Sequence, residues 1–108
     1  MKKSRLGEFQ ELILMSVIVL KEEAYGNAIR RQLEGLLNER LSTGAIQTAL
    51  KRMEEKGFLT SEWSEATKER GGRRKRVYTA TPYAHSTLLE MHAVRDQLWQ
   101  LMPNLKTI

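Results

Sequence analysis

The sequence predicts a mostly α fold with one small β-hairpin and a long C-terminal helix. Three observations predict it. Apolar residues recur at helical spacing from Leu12 to Met53, two strand-like stretches flank Gly71-Gly72, and a heptad-like series runs from Ala84 to Met102. The chain has 108 residues, 41% hydrophobic and 29% charged, which suits one small globular core.

The first helix is centred on Leu12–Leu20, which is apolar nearly all round and is therefore expected to lie centrally in the core. Glu8 and Glu11 in its first turn suit the positive end of its dipole. "KEEAYG" breaks the pattern. A second helix carries one apolar stripe, Tyr25, Ile29, Leu33 and Leu36/Leu37, with Asn38 as a left-handed stop and Gly35 weakening the last turn. Tyr25 is expected in the core with its hydroxyl at the rim, rather than on a phosphate.

Ser42 is placed to cap a third helix, and Gly57 to close it. Ile46, Ala49, Leu50 and Met53 fall on one narrow arc, which is the expected core face. The other side carries Gly44, Thr48, Lys51 and Glu55, flanked by Gln47 and Arg52. "FLTSEWSEA" and "RKRVYTAT" read as the two strands. Leu59 and Trp63 share one face of the first, Tyr78 and Ala80 one face of the second, and Trp63 is expected to pack on the helices.

Thr81-Pro82 is a capping residue followed by proline at the first helical position. The last helix then runs for about 30 Å at 1.5 Å per residue. Its seam is Ala84, Leu88, Met91, Arg95, Leu98 and Met102, widened by Val94 and Leu101. Arg95 on such a seam is expected either to pair across a dimer with Glu90 or Asp96 or to snorkel outward. Trp99 either packs between the last helix and the first, the favoured expectation, or lines a dimer cavity for a flat small molecule.

Charge is unevenly placed. The stretch "TKERGGRRKRVY", Thr67–Tyr78, holds six cations against one anion, which leaves +5, the net charge of the entire chain. Such localisation points to contact with a polyanion. The absence of cysteine excludes disulfides, thiolate metal sites and cysteine nucleophiles. His85 and His92 are seven apart, not the i, i+4 spacing of a helical metal pair, so no metal is expected. The Leu12–Leu20 run is far short of the roughly 20 residues that span a membrane. "MKKSRLGEFQ" is interrupted by Glu8 and Glu11 and does not read as a secretory signal, so a soluble cytoplasmic, nucleoid-associated protein is expected. No paired carboxylates, nucleophile motif or phosphate-binding loop suggests an enzyme; no catalytic residue and no cofactor is expected.

Three helices, a hairpin and a terminal helix are the parts of a winged helix-turn-helix. Residues 1–81 would form the DNA-binding part and 82–108 a dimerisation helix, together one compact unit. An α-helix fits the major groove, and its slim polar N-terminal half can read base edges. Thr43, Gly44, Gln47, Thr48, Lys51 and Arg52 are the expected base-reading residues. Gln47 suits adenine, Thr48 a thymine methyl, and Lys51 and Arg52 guanine or phosphate. Gly44 is explained by close approach to a phosphate or to a neighbouring helix. Lys68, Arg70, Gly71, Gly72, Arg73, Arg74, Lys75 and Arg76 form the expected wing, contacting backbone or minor groove. Leu88, Met91, Arg95, Leu98, Trp99 and Met102 form the expected dimer interface.

"LGEFQELILM", "AYGNAI", "LSTGAIQTALKRMEEKGFL" and "ERGGRRKRVYTAT", in this order and spacing, resemble the PadR-like transcriptional regulators. The resemblance covers roughly Leu6 to Thr81. It departs where many members carry an aromatic at Gln47 and a glycine at Ala84. It implies a dimeric DNA-binding repressor: partners are double-stranded DNA, a second copy, and an unidentified small-molecule effector if one exists. The competing reading is a winged-helix protein-interaction module without specific DNA binding.

Overall fold

A computed structural model describes residues 6–64 and 74–103 of the chain. Four helices, α1 (Glu8–Leu20), α2 (Gly26–Leu37), α3 (Thr43–Glu55) and α4 (Pro82–Leu101), surround one antiparallel hairpin, β1 (Leu59–Trp63) and β2 (Arg76–Ala80). A single 3₁₀ turn, Lys21–Glu23, follows α1.

The core is built from one face of each element. Ile13, Leu14 and Val17 of α1 meet Ile29 and Leu33 of α2, and Ile46, Ala49, Leu50 and Met53 of α3 close over them. Phe58, Leu59, Tyr78 and Ala84 seal the hairpin and the start of α4 against the same core. Two expectations need correction. α1 is not buried all round: Met15 and Val19, one turn apart, are exposed, because helices cover only one side of it. Leu36 lies on the α2 stripe yet is 74% exposed, and with Leu37 also exposed the last turn of α2 lies outside the core that holds Ile29 and Leu33.

Helix ends follow local chemistry. Asn38 takes the left-handed conformation (φ 58°, ψ 43°) and stops α2. The Ser42 hydroxyl accepts from the Ala45 amide at 2.9 Å and starts α3. Lys56 is the last half-helical residue, so Gly57 lies one position beyond the cap, at φ +88°. Its amide donates to Glu54 O and that of Phe58 to Met53 O, the paired bonds of a Schellman ending. That ending is tied directly to α4. The Thr81 hydroxyl donates to Gly57 O at 2.7 Å and accepts from the Ala84 amide at 3.1 Å, so one side chain serves two helix termini. Phe58 and Tyr83 stack across the same junction, ring centroids 4.8 Å apart.

In the hairpin, Leu59 pairs with Ala80, Ser61 with Tyr78 and Trp63 with Arg76. β2 also touches the segment before α2: Tyr78 N–H donates to Ala24 O at 3.0 Å, and Tyr25 bridges Val77. The hairpin is thereby fixed to the helical body through the middle of β2.

α4 outruns this body. The radius of gyration is 16.2 Å, against about 13 Å for a compact chain of this length. Ala84 and Thr87 are buried, Leu88 and Met91 pack partly on the core, and from Leu98 to Met102 the same seam is exposed. Trp99, expected against α1, is instead 64% exposed, on the part of α4 whose seam is also exposed. Arg95 marks the point of departure. Its guanidinium forms two 2.8 Å bonds with Glu11 of α1, a residue only 5% exposed. The seam arginine therefore has a partner within its own chain, Glu11, that the spacing of the last helix did not offer.

Candidate nucleic-acid interface

The polar side of α3 is free because its apolar side is fully used. Ile46, Leu50 and Met53 are buried, while Thr43, Gly44, Gln47, Thr48, Lys51 and Arg52 are all exposed. Among the described residues nothing comes within 4 Å of where a Gly44 Cβ would stand. Of the two reasons offered for that glycine, helix packing is thus removed. Gly26, at the first position of α2, is the glycine that packs. A Cβ there would lie 2.6 Å from Gln47 Nε2 and 4.0 Å from Leu50 Cδ1.

The turn between α2 and α3 is held by Glu34. One carboxylate oxygen accepts from the Leu41 amide at 2.8 Å, and the other from Arg30 at 3.2 Å. The Leu41 amide first, and the Arg30 charge after it, hold the Glu34 carboxyl below its ordinary range against the opposing effect of desolvation. This fixes where α3 begins, and so the angle at which its first turn faces solvent.

The hairpin is joined to the far end of α3 by a polar relay. Arg76 Nε donates to Ser61 Oγ at 2.8 Å, and that hydroxyl donates to Glu54 at 2.7 Å. The Arg76 guanidinium also lies 5.1 Å from the centre of the Trp63 ring. Trp63 is 56% exposed and packs on this cation rather than in the helical core; it stands at the loop end of the strand register. Buried Tyr78 faces the same relay. Burial, and secondarily the Glu54 charge, pushes its phenol above the ordinary value, while Arg76 acts against both.

The cations of the basic stretch differ in surroundings. Lys75 Nζ sits 4.8 Å from the centre of the Tyr25 ring, at the loop end of β2. Arg74 is exposed and only loosely held, its Nε 3.4 Å from Ser64 O. Lys68, Arg70, Gly71, Gly72 and Arg73 lie outside the described residues. Half-buried Tyr25 immediately precedes α2, bridges Val77 and carries Lys75, so it serves the hairpin as well as the core. Among the described residues no cluster of three or more His, Asp or Glu could hold a metal ion, and no helix is long and apolar enough to cross a membrane.

Sequence reasoning missed the partners of Glu11, Glu34 and Glu54. Each is an acid on or beside an apolar stripe, a signal that it needs a partner but not which one. Gly26 was also missed as a packing residue.

The model of the transcriptional regulator PadR-like family matches residues 14–90. A PadR-like transcription factor from "bacteroid fragilis" superposes with a TM-score of 0.66 at 24% identity, covering 83% of this chain and 84% of that one. A PadR family transcription regulator from Clostridium difficile is 29% identical, covers 84% and 88%, and gives 0.57. A complex structure of RosR, a protein of H. salinarum, is 33% identical, covers 89% and 73%, and gives 0.57. No curated protein matches the chain.

Proposed function

The chain belongs to the transcriptional regulator PadR-like family, and from that premise we propose that this DNA-binding regulator is a homodimeric repressor of a pseudo-palindromic operator. One observation carries the reading: α3 presents a polar, exposed face while its apolar face is consumed by the core. Thr43, Gly44, Gln47, Thr48, Lys51 and Arg52 enter the major groove, and the two copies of α3 occupy successive grooves about 34 Å apart. The bare surface over Gly44 admits a phosphate. Arg73 and Arg74 of the wing contact the DNA backbone, while Lys75 and Arg76, engaged with Tyr25 and Trp63, hold the wing in place. The exposed seam of α4, Leu98, Trp99 and Met102, together with Met15 and Val19 of α1, supplies the dimer surface. Such a protein works in the cytoplasm and needs no catalytic group.

Family membership and the free face of α3 favour this reading over an interaction module. Selection from random DNA tests it. A palindrome with half-sites about one helical turn apart is expected; recovery of no common sequence refutes it. Changing Arg73 and Arg74 to Gln should weaken binding to all sequences and reduce the salt slope by about 0.9 for each phosphate that is no longer neutralised.

A further inference from the structure

Gln47 is an unusual reader in one respect: its resting place is another helix. The virtual Cβ of Gly26 lies 2.6 Å from Gln47 Nε2 and 3.7 Å from its Cδ, so the amide occupies the space that any other residue at 26 would fill. Gln47 is nonetheless exposed, and its amide makes no hydrogen bond among the described residues. It is therefore placed by packing, with donor and acceptor both left for a ligand. A free glutamine loses rotamer entropy when it is fixed. A side chain already leaning on α2 has fewer rotamers to lose.

We infer that Gly26 is a specificity-determining positioning residue, whose missing side chain seats the Gln47 amide for reading one base pair in each half-site. The inference rests on the proposed role of α3. Gly26 touches no base itself; it acts through Gln47. A bidentate glutamine–adenine pair discriminates about 5- to 150-fold against the wrong base. Gly26→Ala displaces the amide, which is the far end of a flexible chain, and so removes the seat without breaking the backbone.

The test is a four-protein cycle: wild type, Gly26→Ala, Gln47→Ala and the double variant, each titrated against the selected operator and its single-base-pair variants. Gly26→Ala is expected to lower preference at one base pair threefold or more. Preference elsewhere and the salt slope should hold, as should the melting temperature, since alanine favours a helix over glycine. In the Gln47→Ala background the same change should do nothing. A Gly26→Ala effect that is absent, uniform over all sequences, or equal in both backgrounds overturns the inference. If Gln47→Ala leaves preference intact while wild type still selects an operator, the inference falls and the regulator reading stands. If wild type selects no sequence, both fall together.

Discussion

Replacing Arg95 by methionine isolates the ion pair that ties the projecting helix to the body. Two 2.8 Å bonds join its guanidinium to Glu11, whose side chain is almost wholly buried while that of Arg95 is 59% exposed. Removing one partner of a fully buried pair costs about 3–5 kcal/mol, and an exposed pair is worth at most about 1. This pair is buried on one side only. Water can enter where the arginine was, but it solvates the carboxylate incompletely, so a loss of about 2 kcal/mol is expected. For a domain of this size that lowers the melting temperature by about 8 °C or more. Methionine keeps the apolar stem, so most of the packing stays. Thermal melts should be run at one protomer concentration, since assembly shifts apparent stability. The companion variant Glu11→Leu/Arg95→Met should recover to within about 1 kcal/mol of wild type, because no unpaired charge remains. A single variant that melts within about 2 °C of wild type, or a double variant no better than the single one, refutes the reasoning.

Two further outcomes follow from the same geometry. Thr81→Ala removes the cap of α4 and the bond to Gly57 O together, and urea titration should show a loss of about 1–2 kcal/mol; an unchanged midpoint would deny Thr81 its double role. Glu34 has a folded pKa below its unfolded one, so its stabilising contribution is present above the unfolded value, near 4.3, and is lost as pH falls through the folded value. Urea midpoints measured from pH 7 to pH 3 should therefore fall more for wild type than for Glu34→Gln, and parallel profiles would contradict this.

Much of the fold was legible because local chemistry specified it. Ser42, Asn38 and Thr81-Pro82 mark their helix ends whatever surrounds them, since a cap needs only its own turn. The α3 core face could be read from spacing, because all four apolar residues lie on one arc and all four are buried. The exposed side of α3 follows by subtraction, so the candidate reading residues were also within reach.

What the sequence by itself determined, then, is periodicity and termini: which residues form helices, where those helices stop, and which face of each is apolar. Only the tertiary structure decided which apolar residues are covered and which charges meet. Leu36 shares a stripe with buried Ile29 and Leu33, and Trp99 adjoins the seam of α4, yet both are exposed, and helix overlap is not a property of one helix. Glu11 and Arg95 are 84 positions apart, and the Arg76–Ser61–Glu54 relay joins three elements. Such pairs depend on distances between elements, which a one-dimensional pattern does not contain. The same holds for Gly26, whose missing side chain matters only because Gln47 of another helix lies against it.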